Sequence, residues 1–203
     1  MKAVLTTFIV LVTFVANAQS TWKVDTGHSS INFAVSHLVI SETTGSFDTF
    51  DITAVTGEDF SNPTFEVSIQ TASINTKNDR RDNHLRADDF FDAEKHPMIV
   101  FKSASVEKTG EKTFLIKGDI TIKGVTKKVN FNGKLNGILK NDRGEKAGLK
   151  LTTIIKRTDF GVGNSGGSVG EDVEVTINFP ISEFGFIIIV YIKVKLFLLF
   201  FHF

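Results

Sequence analysis

The fold class predicted for this chain is all-β: an antiparallel barrel of roughly eight strands with one short helical insert near residues 79–90. Three observations predict it. Apolar and polar residues alternate with period two through most of the stretch from Trp22 to Phe179. Turn-forming clusters break that alternation repeatedly. One polar segment departs from it and stops at His96-Pro97, where proline bars a helix from continuing.

The elements follow in order. Lys2, the apolar run Ala3 to Val15 and the small-x-small site Ala16-Asn17-Ala18 have the three parts of an export signal. Cleavage after Ala18 is expected. That assigns residues 1–18 to a signal peptide and the mature protein to the periplasm or the exterior. The run is too short to span a bilayer comfortably.

Strands begin after it. Ile31, Phe33 and Val35 alternate with Asn32, Ala34 and Ser36, and Phe65, Val67 and Ile69 repeat the pattern. Phe114 with Ile116, Ile120 with Ile122, and Val129 with Phe131 continue it, and Val173, Val175, Ile177 and Phe179 close it. This spacing turns one apolar face inward and one polar face to water. Ser61-Asn62-Pro63, Lys108-Thr109-Gly110, Asn132-Gly133 and Asn141-Asp142-Arg143-Gly144 are the turn signals between runs. Closing such a sheet removes its edges and leaves an interior for packed side chains or one slender ligand.

Between these strands, Asn83 to Ser103 opens polar around His84, passes through Phe90-Phe91-Asp92 and returns to alternation after Pro97. Two adjacent phenylalanines in a polar insert suggest a plug or lid against an apolar interior. Residues 20–179 hold twelve phenylalanines, one tryptophan and no tyrosine. Phenylalanine makes broad apolar walls with no hydroxyl to satisfy, as an oily ligand requires.

Composition removes several function classes. The 203 residues carry 23 basic and 23 acidic side chains, so no basic footprint points to nucleic acid. The absence of cysteine removes disulfides, cysteine-held metals and a thiol nucleophile. Gly161-Val162-Gly163-Asn164-Ser165-Gly166 matches a dinucleotide fingerprint in letters, but a strand pattern follows where a helix is required. It reads as a hairpin loop. Asp25, His28 and Ser29 have the residue types of a hydrolase triad, yet no nucleophile elbow surrounds Ser29. They read as turn residues. His28, His37, His84 and His96 show no metal-ligand spacing.

Nine short motifs in order carry a resemblance. Trp22-Lys23-Val24-Asp25 with His28-Ser29, Gly45-Ser46-Phe47, Ser73-Ile74-Asn75-Thr76 and Arg81-Asp82-Asn83-His84-Leu85 come first. Asp89-Phe90-Phe91-Asp92, His96-Pro97, Phe101-Lys102-Ser103, Gly118 through Gly124-Val125-Thr126-Lys127, and Arg157-Thr158-Asp159-Phe160-Gly161 follow. Together they resemble the YceI-like family over residues 22 to about 178. The resemblance implies an exported, lipocalin-like barrel that carries a polyisoprenoid, such as a quinone tail, or another amphiphilic lipid. It implies no reaction and no cofactor beyond that ligand.

Inward alternation then nominates Phe33, Val35, Phe65, Val67, Ile69, Phe101, Phe114, Ile116, Ile122 and Phe131 as lining, with Phe90 and Phe91 as lid contacts. Expected partners are the lipid and, transiently, a membrane, with a homodimer left open. The rival reading is an enzyme on the same barrel, with His84 and Asp82 or His28 and Asp25 as acid and base.

The end of the chain departs from the family. Residues 19–179 are assigned to the barrel and 180–203 to an atypical apolar tail. A shifted frame or lost stop codon, a membrane anchor and a final barrel strand are the three readings of that tail. Lys193 and Lys195 near its middle weigh against a bilayer span.

Overall fold

The computed structural model describes residues 20–56, 63–141 and 144–183. The expected signal peptide and the tail from residue 184 onward lie outside the described residues.

Among the described residues one sheet holds eleven strands. In chain order they are β1 (Ser20–Val24), β2 (Ser30–His37), β3 (Ser41–Phe47), β4 (Phe50–Thr56), β5 (Thr64–Gln70) and β6 (Ile74–Asn75). The helix α1 (Asp79–Arg86) precedes β7 (Met98–Lys108), β8 (Thr113–Ile122), β9 (Val125–Asn141), β10 (Gly144–Lys156) and β11 (Val169–Glu183). Every pairing is antiparallel, and β1 pairs with both β4 and β11, which closes the ring.

The difference between eleven strands and the expected eight lies in three bends. A 3-10 turn at Thr26–His28 separates β1 from β2, Asp48 and Thr49 separate β3 from β4, and a second 3-10 turn at Thr71–Ser73 separates β5 from β6. Across each bend both halves keep one neighbour: β1 and β2 pair with β4 and β3, and these pair in turn with β5 and β6. Each bent pair is therefore one staff of an eight-staved barrel. β11 runs on through Pro180 to Glu183, with Ile181 opposite both Val24 and Ala147, so the strand passes the boundary expected at Phe179.

The turns connecting the staves fall at two ends. One end carries the β2–β3 turn, the segment 76–97 with α1, the β8–β9 turn and the loop from Arg157 to Ser168; this is the covered end. The other carries the β7–β8 and β9–β10 connections.

Helix α1 is built by its caps. Asn78 accepts the Arg81 amide (3.0 Å), and Asp79 and Asp82 occupy the first turn, where the helix dipole favours anions. Buried Asp82 accepts from the Thr76 amide (2.9 Å) and hydroxyl (2.5 Å). Arg86 donates to the Ala72 and Ile74 carbonyls, both at 2.8 Å. The helix is shorter than expected because Ala87 leaves helical geometry at φ −68°, ψ 168°, and turns carry the chain onward to Pro97.

Inside, the buried core is continuous from one end to the other. Phe101 and Phe131 meet edge-on at 5.0 Å, and Phe65 and Phe179 at 6.2 Å.

Candidate functional site

The barrel interior is not filled throughout. A cavity of about 140 Å³ lies toward the covered end, close to the size that elsewhere stays dry and admits a benzene ring. Its exposed lining is wholly apolar. The strands supply this surface because alternate residues of β2, β5, β7, β8 and β11 project inward. Val35 faces Val173, and Phe33 faces Val175, across the β2–β11 pair.

Burial is graded around the wall. Val67, Ile69, Ile99, Phe101, Ile122 and Phe131 are buried, whereas Phe33, Val35, Val169, Val173 and Val175 are half-buried. Leu85, Phe90 and Phe91 are half-buried as well, so the accessible side of the cavity is where the outer stretch of β2 and β11, beside the β2–β3 turn, meets the segment after α1.

The segment after α1 covers this space. Phe90 and Phe91 both line the cavity. The Phe91 ring stands edge-on to Phe47 at 6.1 Å, and Phe47 lies 5.7 Å from Phe33. Backbone bonds fix the cover: the Phe91 amide donates to Leu85 O (3.0 Å) and the Gly163 amide to Asp89 O (3.0 Å). Lys123, in the β8–β9 turn, donates to Asp88 O (2.7 Å) and Gly161 O (2.9 Å). One ammonium thus ties three segments together. Gly124, at φ +75°, leaves room for the His96 ring, which a Cβ there would meet at 2.9 Å.

Of the twelve nominated lining and lid residues, Phe33, Val35, Val67, Ile69, Phe90, Phe91, Phe101, Ile122 and Phe131 line the cavity. Phe65, Phe114 and Ile116 do not line this cavity. Ile116 is fully buried, while Phe65 and Phe114 border a separate depression with Leu135 and Leu149. All three point inward, but they sit nearer the opposite end of their staves. Val173 and Val175 were missed as lining although their alternation was visible.

Arg157 was also missed. It is buried at 9% exposure, and among the described residues its guanidinium meets no carboxylate. It donates instead to four carbonyls: Gly170 and Val162 at 2.8 Å, Asn164 and Val169 at 3.0 Å. The Gly161–Gly166 stretch is consequently a loop wrapped around a cation, with no helix behind it to receive a pyrophosphate. Gly163, at φ +66°, approaches both Arg157 and Phe90 where a side chain would collide.

The rival acid–base pairs fare differently. His84 does not pair with Asp82; its Nε2 lies 2.8 Å from Asp89 Oδ2, and Asp82 is engaged by Thr76. His28 does pair with Asp25, at 2.9 Å, with the His28 side chain 81% exposed. That hydrogen bond holds the Asp25 carboxyl below its usual range. Ser29 donates its hydroxyl to Asp25 O (2.7 Å) rather than to His28, so the three form a turn. None of His84, Asp82, Asp89, His28, Asp25 and Ser29 lines the cavity. Among the described residues no group of three or more His, Asp or Glu side chains is placed to hold a metal ion.

The rim carries charge pairs. Lys156 and Glu171 meet at 2.9 Å, which lowers the Glu171 carboxyl and raises the Lys156 ammonium. Lys127 and Asp159 meet at 3.2 Å.

The YceI-like domain model matches residues 22–181. A UPF0312 protein of Staphylococcus aureus (strain bovine RF122 / ET3-1) is 39% identical over 171 residues, covering 78% of this chain and 96% of that protein. The crystal structure of Burkholderia cenocepacia BcnA superposes with a TM-score of 0.71 at 20% identity, over 78% of this chain and 99% of that one. A polyisoprenoid binding domain from Saccharophagus degradans superposes with a TM-score of 0.57 at 16% identity, over 83% and 99%.

Proposed function

This chain belongs to the YceI-like family, and from that premise we propose that it is a non-catalytic carrier for an amphiphilic lipid whose hydrocarbon part, such as a polyisoprenoid or quinone tail, enters the barrel. The observation that carries the reading is the cavity: an apolar space under an aromatic cover, with its accessible side on β2 and β11. The Saccharophagus degradans domain of like fold, described as polyisoprenoid binding, supports the choice of ligand class.

The physical logic is simple. Each buried methylene contributes about 0.8 kcal/mol, so even the tip of a chain binds usefully in a dry pocket. The cavity as folded admits roughly one isoprene unit, judged by the benzene comparison. A longer chain reaches inward by shifting Phe90 and Phe91, while its polar head stays at the accessible side. The expected export signal places this exchange outside the cytoplasm.

The test is direct. The protein is expressed, purified without detergent, and studied by native mass spectrometry and by analysis of its solvent extract. A stoichiometric lipid with an isoprenoid or other long hydrocarbon portion is expected. A barrel that stays empty after incubation with isoprenoid quinones overturns the reading.

A further inference from the structure

The β2–β3 turn is at odds with ordinary turn chemistry. Leu38 and Val39 both have left-handed backbones, at φ +53° and +64°, and the Ile40 amide donates to His37 O at 3.3 Å. Two positive φ angles at the centre of a tight hairpin are the pattern for which Asn-Gly is favoured. The β8–β9 turn of this same chain obeys that preference in part, with Lys123 and Gly124 at φ +48° and +75°. At the β2–β3 turn a leucine and a β-branched valine occupy the strained positions instead.

Burial gives them little in return. Leu38 is 55% exposed, Val39 96% and Ile40 86%. Three consecutive large apolar side chains therefore stand in water on a strained turn, with no contribution to the core. A local rule broken without a gain in the folded state marks a functional element.

Its position says what the element serves. The turn extends β2, the strand whose Val35 and Phe33 form the half-buried side of the cavity. The Leu38 amide donates to Ser168 O at 2.6 Å, fastening the turn to the loop that Arg157 organises. Turn, accessible wall and aromatic cover share one end of the barrel.

We propose that Leu38, Val39 and Ile40 form a finger that dips into the surface of a lipid bilayer and brings the accessible side of the cavity against it. Shape and size favour a bilayer over a second copy or another protein. A convex tip of three side chains falls far short of the roughly 800 Å² per partner buried in a stable protein interface. A fluid interface, by contrast, moulds around a projecting apolar tip and rewards its burial. Passage of lipid between bilayer and barrel rests on the carrier reading above; contact of the finger with the bilayer does not.

The chain has no cysteine, so Val39→Cys in the full-length protein places one environment-sensitive fluorophore at the tip. Glu111→Cys, on the exposed β7–β8 connection at the opposite end, is the control. Vesicles of phosphatidylethanolamine and phosphatidylglycerol containing a nitroxide-labelled lipid are added to each. The label at 39 is expected to shift to the blue and be quenched, and the label at 111 to do neither. Adding Leu38→Ser and Ile40→Ser is expected to cut the quenching at 39 about tenfold or more. A label at 39 that stays in water, equal responses at 39 and 111, or quenching unchanged by the two serines overturns the proposal. A quenched label on a barrel that native mass spectrometry shows to be empty supports the finger and removes the carrier reading instead.

Discussion

The His84 ring stands edge-on to the Phe90 ring, their centroids 4.8 Å apart. With Nε2 at 2.8 Å from Asp89, His84 buttresses the aromatic cover from the solvent side. Phe90→Asp would set an unpaired carboxylate against an apolar cavity, which is costly. Occupancy by an added isoprenoid quinone is expected to fall at least about tenfold by native mass spectrometry, with the circular dichroism spectrum unchanged. His84→Ala should leave occupancy near that of the wild type, because Phe90 and Phe91 remain.

Ile116 tests the division between packed end and open end. Its side chain is fully buried and away from the cavity. Ile116→Ala is expected to lower unfolding free energy by about 2–5 kcal/mol, read from urea denaturation. Ligand occupancy at temperatures where the variant stays folded should not change.

Arg157→Lys replaces a five-donor fork with a single ammonium. Carbonyls of Val162, Asn164, Val169 and Gly170 would lose partners, at an expected cost of roughly 2–4 kcal/mol. Hydrogen exchange at the Leu38 amide, bonded to Ser168 in the same loop, should speed up. Unchanged exchange there would show that the loop holds itself.

Acid should loosen the corner between β3 and β4. Asp48 accepts from Asn75 Nδ2 and Ser46 Oγ, both at 2.7 Å, and these bonds hold its carboxyl below the ordinary range. A depressed folded-state pKa contributes stability that is complete above the unfolded value, about 3.9, and is lost as pH falls through the folded value. Asp48→Asn is expected to flatten the stability curve below about pH 4, measured by thermal melts across pH.

Leu38→Asn with Val39→Gly restores the turn residues that two left-handed positions favour. The pair is expected to raise stability by about 1 kcal/mol or more, measured by urea denaturation. A loss of stability would mean that the exposed side chains support the barrel after all.

Much of the barrel was legible because alternation reports which face of a strand is buried. It does not report height along the stave. Phe65, Phe114 and Ile116 alternate as cleanly as Phe33 and Val35, yet only the latter pair reaches the cavity. Nor does alternation mark a bend: Asp48 and Thr49 interrupt one stave without a proline or glycine. Arg157 was hidden for another reason. A buried guanidinium is defined by carbonyls that gather around it in three dimensions, and its letter in the sequence resembles any surface arginine. The Asn83–Ser103 insert was the opposite case, since a polar run with two phenylalanines ahead of a proline predicted both a short helix and an apolar cover, although the helix ends at Arg86, well before Pro97.

The pairing of β1 with β11 has a temporal consequence. The first described strand finds its partner in the last, across nearly the whole chain, so the interior exists only after the C-terminal stave has emerged and docked. Until then, each hairpin already made carries an oily face with nothing opposite it. Contacts of such long sequence separation form slowly, typically in milliseconds to seconds for β-barrels. A chain cut before Val169 would lack the stave that joins β10 to β2 and remain an open, sticky ribbon, and the length of that unguarded interval sets its need for a chaperone.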